Sequence, residues 1–300
     1  MDTRLVKTFL IVNDLGSFTK AASELGYAQS TVTAQIRQLE EELGYYLFDR
    51  LGKKISLTDL GKQFLPYAEG LLRLTAQAQY LGKEDADIQG TLRVGVLESL
   101  LFSSLTEVLP GFKKQFPHVE LQIKMGSARD LLQWLKENEL DMVYYSHDLN
   151  RDNDLIRCYC RKEFLSFIAP PNHPLTTKQE LSLQEFLAQP ILITERSGLC
   201  FHRLQTLADE HESRLQHAVE IDNTKAISSL VSNGMGCSFL PRYAISSDLK
   251  EGRVAELHPD VPKQTYFSQI VCRKDKWIPP YLTALIRLIR EHRPETVDRN

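Results

Sequence analysis

Gln29, Ser30, Thr31, Thr33, Ala34 and Arg37 crowd one short stretch of the chain. A glutamine amide can pair bidentately with an adenine edge, and a threonine methyl packs on the methyl of thymine. Arg37 lies one turn further along and suits a phosphate oxygen. A second group, Arg50, Lys53 and Lys54, sits in the basic turn Asp49-Arg50-Leu51-Gly52-Lys53-Lys54, which suits phosphate or a minor groove. Taken alone, both groups also fit an ordinary solvated surface.

A third set stands at turns that follow strand-like runs and open helices. Ser99, Ser127, Ser197 and Thr224 hold such positions, with Cys200, Phe201 and Arg203 following Ser197. Backbone N–H groups and the helix dipole at such turns suit an anion. Each hydroxyl is equally suited to be a helix N-cap, Ser127 with Asp130 in particular. Arg203 fits a carboxylate or a plain helix surface. Glu98 works against an anion unless Arg129 or Arg196 neutralises it.

Other chemistry finds no footing. The chain has no GxSxG elbow, phosphate-cradling GxxxxGK, GxGxxG or HExxH. The hydroxyls have no paired histidine, so no catalytic residue, cofactor or metal is expected. Five cysteines without a CxxC pair suggest neither a disulfide framework nor a zinc ribbon. Cys158 and Cys160 share a strand face, Cys237 opens a buried strand, and such thiols are usually inert packing. His173-Pro174 reads as a turn.

The elements that must position these residues fall into three zones. Residues 1 to 57 alternate short amphipathic helices with glycine breaks. Leu5, Phe9 and Val12 mark the first helix, Ser17 caps a second through Leu25, and Val32, Ile36, Leu39 and Leu43 stripe a third. Short β-like runs, Tyr46-Leu47-Phe48 and Ile55-Ser56-Leu57, flank the basic turn as a wing would. This is the shape of a helix-turn-helix with a wing. Thr58 to about Leu81 carries one long apolar stripe that pairs with a copy of itself or joins the core of the next domain. From Thr91 onward β-rich runs alternate with helices, predicting α/β architecture in two lobes around a ligand. The predicted domains are 1–57, 58–89 and 90–300, with lobe I at about 90–163 and 267–300 and lobe II at about 164–266.

The chain has 300 residues, 42% of them hydrophobic and 25% charged, which excludes disorder. No apolar run approaches the roughly 20 residues of a membrane span, and the N-terminus does not read as a signal peptide. A cytoplasmic location is expected. The net charge of -3 argues against general nucleic-acid coating but leaves room for one small DNA-reading module.

The stretch from Ser17 to Phe64 resembles the DNA-binding segment of LysR-type transcriptional regulators. The resemblance rests on Ala21-Ala22, Leu39-Glu40-Glu41-Glu42-Leu43-Gly44, Leu47-Phe48-Asp49-Arg50 and Leu57-Thr58-Asp59-Leu60-Gly61. Weaker points continue along the chain: Gly90 to Gly95, Asp141, and Asn233 to Pro241. The resemblance implies a winged helix-turn-helix, a dimerising linker helix and an effector domain of periplasmic-binding-protein type. It also implies a homodimer or homotetramer on promoter dyads that answers a small metabolite, here expected to be anionic. One branch of the family senses peroxide through paired cysteines, which makes a thiol switch at Cys200 the alternative. A solute-binding protein or an enzyme on the same lobes leaves the N-terminal segment unexplained. The chain departs from the family where Tyr27-Ala28 and Ser30 replace a usual serine and proline, which weakens the cap of the third helix by ~1 kcal/mol.

Overall fold

Asp2 starts the first helix by accepting the Arg4 N–H at 2.8 Å. Helix α1 (Thr3–Leu15) then buries Leu5, Val6, Phe9 and Val12 on one face. Ser17 caps α2 (Phe18–Leu25), and α3 (Gln29–Leu43) follows after Gly26. Ala28 makes no side-chain cap bond to α3, as its chemistry dictates. Gly44, at φ +79°, ends α3 in the left-handed conformation that a side chain would resist. Strands β1 (Phe48–Asp49) and β2 (Ser56–Leu57) pair antiparallel, and α4 (Asp59–Tyr80) leaves them. The computed structural model describes residues 1–49, 55–80, 82–215 and 217–294, so Arg50, Lys53, Lys54 and Leu81 lie outside the described residues.

The core of this first unit is aromatic. The Phe9 ring meets Phe48 and Phe64 at 5.3 and 5.2 Å. Each such buried ring contributes roughly 1.5–3 kcal/mol. The Leu57-Thr58-Asp59-Leu60-Gly61 motif is a joint. The Thr58 hydroxyl donates to the Tyr46 carbonyl at 2.7 Å and accepts the Gly61 N–H at 2.8 Å. A Cβ on Gly61 would stand 2.1 Å from the Leu47 carbonyl oxygen, so only glycine lets α4 approach this closely.

The second unit begins with β3 (Gly90–Val96). Next come α5 (Glu98–Leu100), a π turn at Leu101–Leu105 and α6 (Thr106–Gln115). The sequence pattern predicts a helix from about Leu105 to Phe116, and the helical stretch instead starts seven residues earlier, at Glu98. Ser104 is wholly buried, and a polar residue on the inner face breaks the apolar period. After β4 (Val119–Met125), α7 (Ala128–Lys136) and β5 (Met142–His147), the strand β6 runs unbroken from Leu155 to Ala169. The remaining elements are α8 (Leu183–Leu187), β7 (Ile191–Ile193), α9 (Leu199–Glu210), β8 (His217–Glu220), α10 (Thr224–Ser232), β9 (Cys237–Pro241), α11 (Ser246–Lys250), β10 (Ala255–Leu257), β11 (Thr265–Arg273) and α12 (Pro280–His292). His173 caps the short 3-10 turn at Pro174–Thr177, its Nδ1 accepting the Leu175 N–H at 3.3 Å.

The strand order is β4-β3-β5-β11-β6-β9-β7-β8, with β10 against β6. Strands β3, β4 and β5 are parallel, as are β7, β8 and β9. The long β6 joins the two sets: its residues up to Phe164 pair with β11, and those from Leu165 pair with β9. Asp141 ties β3 to the approach of β5, accepting the Arg93 backbone N–H at 2.7 Å and its guanidinium at 2.9 Å.

Candidate nucleic-acid interface and effector cleft

Helix α3 separates its faces sharply. Val32, Ile36 and Leu39 are fully buried, while Gln29, Ser30, Thr31 and Ala34 face solvent. The inner face anchors the helix in the core and leaves the N-terminal side chains free to meet base edges. Thr33 is half-buried and donates to the Gln29 carbonyl at 3.0 Å, so its hydroxyl is engaged within the helix. Arg37 pairs with Glu41 at 2.8 Å rather than standing free for phosphate. Gln35 accepts the Thr8 hydroxyl at 2.6 Å, which fixes α3 against α1.

The acidic run Glu40-Glu41-Glu42 reads from sequence as the end of the helix turning away from DNA, and one member does more. Glu40 is 4% exposed, and its Oε1 accepts the Leu47 and Phe48 N–H groups at 2.8 and 3.3 Å. It pins the start of the wing to α3. Buried carboxylates need such partners; Glu40, four residues after Ile36 and three before Leu43, falls beside the apolar stripe, but its N–H partners at Leu47 and Phe48 carry no sequence signal.

Along α4, Leu60, Tyr67 and Leu74 are exposed at seven-residue spacing. Leu71 and Leu72 instead pack against the helix-turn-helix core. Among the described side chains of α4, Leu60, Tyr67 and Leu74 form an exposed apolar stripe.

Within the second unit, a cleft of about 1350 Å³ opens at the C-terminal ends of β3, β4, β5, β7, β8 and β9. Ser99, Ser127, Ser197, Thr224 and Cys200 all line it. Only Ser127 of these is an N-cap; Gly198 holds that place in α9 and Asn223 in α10, where its Oδ1 accepts the Ala226 N–H at 2.6 Å. Ser99 lies inside α5 and shares a hydrogen bond of 3.0 Å with the Tyr243 hydroxyl. That phenol also meets Ser146 at 3.1 Å, linking the two halves of the cleft. Two expected residues fall away. Phe201 packs on the hydrophobic core around Phe186, and Arg203 is tied to Asp148.

The lining is more acidic than an anion site requires. Glu98, Asp130, Asp148, Glu195 and Asp222 face it, against Arg129 and Arg151. Arg196 does not neutralise Glu98, because it pairs with Glu220. Burial pushes the Glu98 and Glu195 carboxyls above the usual range, and the charge of Asp222 adds to both shifts. No three metal-ligating side chains stand close enough to hold an ion among the described residues.

Beneath the cleft lies a buried charge pair that sequence reading did not reveal. Arg293 meets Glu163 at 2.7 Å, and Ser268 donates to the same carboxylate at 2.8 Å. Arg293 also stacks over the Tyr243 ring, 4.5 Å from its centre. Burial raises the Glu163 carboxyl, against the opposing pull of Arg293 and Ser268. These residues come from chain segments far apart, so no local motif announces them. The Cys200 thiol is pushed up to about 12 by burial, the wrong direction for a reactive thiol. Cys158 is the lowered thiol, through a hydrogen bond with Cys272 and despite its burial.

Taken together, a winged helix-turn-helix with an open recognition face and a two-lobed α/β unit with a cleft define a one-chain DNA-binding regulator. Residues 3–62 match the family described as bacterial regulatory helix-turn-helix protein, lysR family, and residues 85–294 match the LysR substrate binding domain. The chain belongs to the LysR family of transcriptional regulators. It is 32% identical to the uncharacterized HTH-type transcriptional regulator YwqM of Bacillus subtilis, covering 97% of this chain and 99% of that one. It is 30% identical to the HTH-type transcriptional regulator GltR of the same organism, covering 97% of each. Full-length BenM superposes over 100% of both chains at TM-score 0.56 and 26% identity. Full-length OxyR of Pseudomonas aeruginosa matches in fold, with TM-score 0.64 and 20% identity over 97% of this chain and 95% of that one.

Proposed function

We propose that this regulator reads a promoter dyad through the N-terminal half of α3 and answers a small molecule held in the cleft of its second unit. The observation that carries the DNA half is the exposed set Gln29, Ser30, Thr31 and Ala34 on a helix whose opposite face is wholly buried. Side chains so placed reach base edges without disturbing the core. Arg37, Arg50, Lys53 and Lys54 supply phosphate contacts, Arg37 after exchanging Glu41 for the DNA backbone. The exposed stripe Leu60, Tyr67 and Leu74 pairs two copies, and a homotetramer places two such pairs on one operator. No described helix is long and apolar enough to cross a membrane. The protein acts in the cytoplasm, where its DNA lies, and performs no catalysis.

Effector control follows from the hydroxyls of Ser99, Ser127, Ser197 and Thr224 around the cleft. A ligand there competes for the Ser99–Tyr243–Ser146 bridge and so prefers one lobe arrangement. Only that differential affinity can change the assembly on DNA. Nuclease footprinting of the full chain on the DNA upstream of its neighbouring gene tests the reading. Protection of two half-sites related by a dyad is the expected result, and uniform protection without a dyad would overturn it.

A further inference from the structure

Three helices point their N-termini at the cleft, and those of α7 and α10 are already answered by a carboxylate of this chain, while α9 has no side-chain cap. At α7, Ser127 accepts the Asp130 N–H at 3.2 Å and donates to the Asp130 carboxylate at 2.7 Å. Before α9, Ser197 donates to Glu195. At α10, Glu98 accepts the Thr224 backbone N–H and, at 3.1 Å, the Asn223 amide. Two of the three positive ends that would attract an anionic ligand are thereby occupied.

The lining as a whole still carries more carboxylates than cations, Glu98, Asp130, Asp148, Glu195 and Asp222 against Arg129 and Arg151. Asp222 lines the cleft, is exposed, and has no hydrogen-bond or ion-pair partner among the described residues. Its charge acts on both Glu98 and Glu195. Lys225 draws on Glu98 from the next turn but is not part of the lining. A cation placed among these carboxylates relieves their mutual repulsion.

A second observation is independent of charge. Tyr266 lines the cleft, is 1% exposed, and its hydroxyl has no hydrogen-bond partner among the described residues. A buried hydroxyl left unpaired is destabilising, and a ligand atom hydrogen-bonded to it relieves that cost. A bare metal ion does not fit, because no three ligating side chains converge among the described residues.

We propose that the effector is a small organic cation, an amine, amidine or guanidine. Its charged nitrogen sits among Glu98, Glu195 and Asp222, and another polar atom bonds the Tyr266 hydroxyl. This assignment rests on the cleft reading above and replaces the expectation of an anionic metabolite.

The test is calorimetric titration of the full chain with agmatine, putrescine and benzamidine, alongside succinate and benzoate, on wild type, Asp222→Asn, Tyr266→Phe and Arg129→Ala. At least one of the three cations is expected to bind, with about tenfold loss in Asp222→Asn and a measurable loss in Tyr266→Phe. Asp222 is exposed and both replacements are nearly isosteric, so the variants keep the fold. Failure of all three cations to bind overturns the proposal. Binding of succinate or benzoate alone, lost in Arg129→Ala, overturns the cation class while leaving the cleft as the effector site. Cation binding that neither Asp222→Asn nor Tyr266→Phe changes places the ligand elsewhere and overturns both.

Discussion

Replacing Glu40 should uncouple the wing from the recognition helix, and its size follows from two hydrogen bonds. Glu40 is 4% exposed and accepts the buried Leu47 and Phe48 N–H groups. Glu40→Leu removes both acceptors and strands two donors away from water. Each stranded donor costs about 1–3 kcal/mol, while the added apolar burial returns part of it. A net loss of ~2–4 kcal/mol is expected. In a small domain each kcal/mol moves the midpoint by roughly 4–8 °C, so the first unit should melt at least ~8 °C earlier. Glu40→Gln keeps one oxygen acceptor for these N–H groups and should lose ~1 kcal/mol or less. Differential scanning calorimetry of the full chain gives the comparison, because the second unit should melt as in wild type. Losses of equal size in both variants would refute the role given to the carboxylate oxygen. The same calorimetry paired with operator titration should show weaker DNA binding by Glu40→Leu even below its melting range.

Three further outcomes are expected. Tyr67→Glu with Leu74→Glu should weaken the dimer at least tenfold in analytical ultracentrifugation, whereas the same changes would be silent if the dimer contact lay elsewhere. Arg293→Met removes the nearer cation from the buried Glu163 carboxylate, leaving Arg161 at 3.4 Å, and should cost ~3 kcal/mol at pH 8. In that variant the folded pKa of Glu163 rises further above its unfolded value, so stability is retained below the unfolded pKa and lost as pH climbs through the folded one. The deficit measured by urea unfolding should therefore shrink between pH 8 and pH 5, and a deficit independent of pH would count against the charge pair. Cys200→Ser should leave effector binding and DNA binding unchanged under reducing conditions; loss of the response in a reporter assay would reinstate the thiol switch.

The helices of the first unit were legible because each obeys a local rule. Ser17 caps, Gly16, Gly26 and Gly44 stop, and Val32, Ile36 and Leu39 repeat at the helical period. The parallel strands were legible as short apolar runs between helices. The fifteen-residue β6 was not, because exposed Arg157, Phe164 and half-buried Lys162 interrupt its pattern where it passes from one half of the sheet to the other. The cleft turns could be placed from sequence, since ligand positions in α/β sheets lie at strand ends. Their electrostatics could not. Glu98 filling the N-terminus of α10 is a contact across more than a hundred residues. Thr224 illustrates the same limit on a smaller scale: Asn223 and Thr224 are both capping residues, and only the backbone decides that Asn223 takes the cap. Tyr243 and Tyr266 carry no motif at all, and their importance appears only where distant segments meet.

Sequence reading by α3 is the claim on which the functional account depends. It is tested most directly by fluorescence-anisotropy titration of wild type and Thr31→Ala, each on the footprinted dyad and on a scrambled duplex of equal length, at one fixed salt concentration. The account predicts that Thr31→Ala loses about 1–3 kcal/mol on the dyad and almost nothing on the scrambled duplex. Equal losses on both duplexes, or none on either, would contradict it.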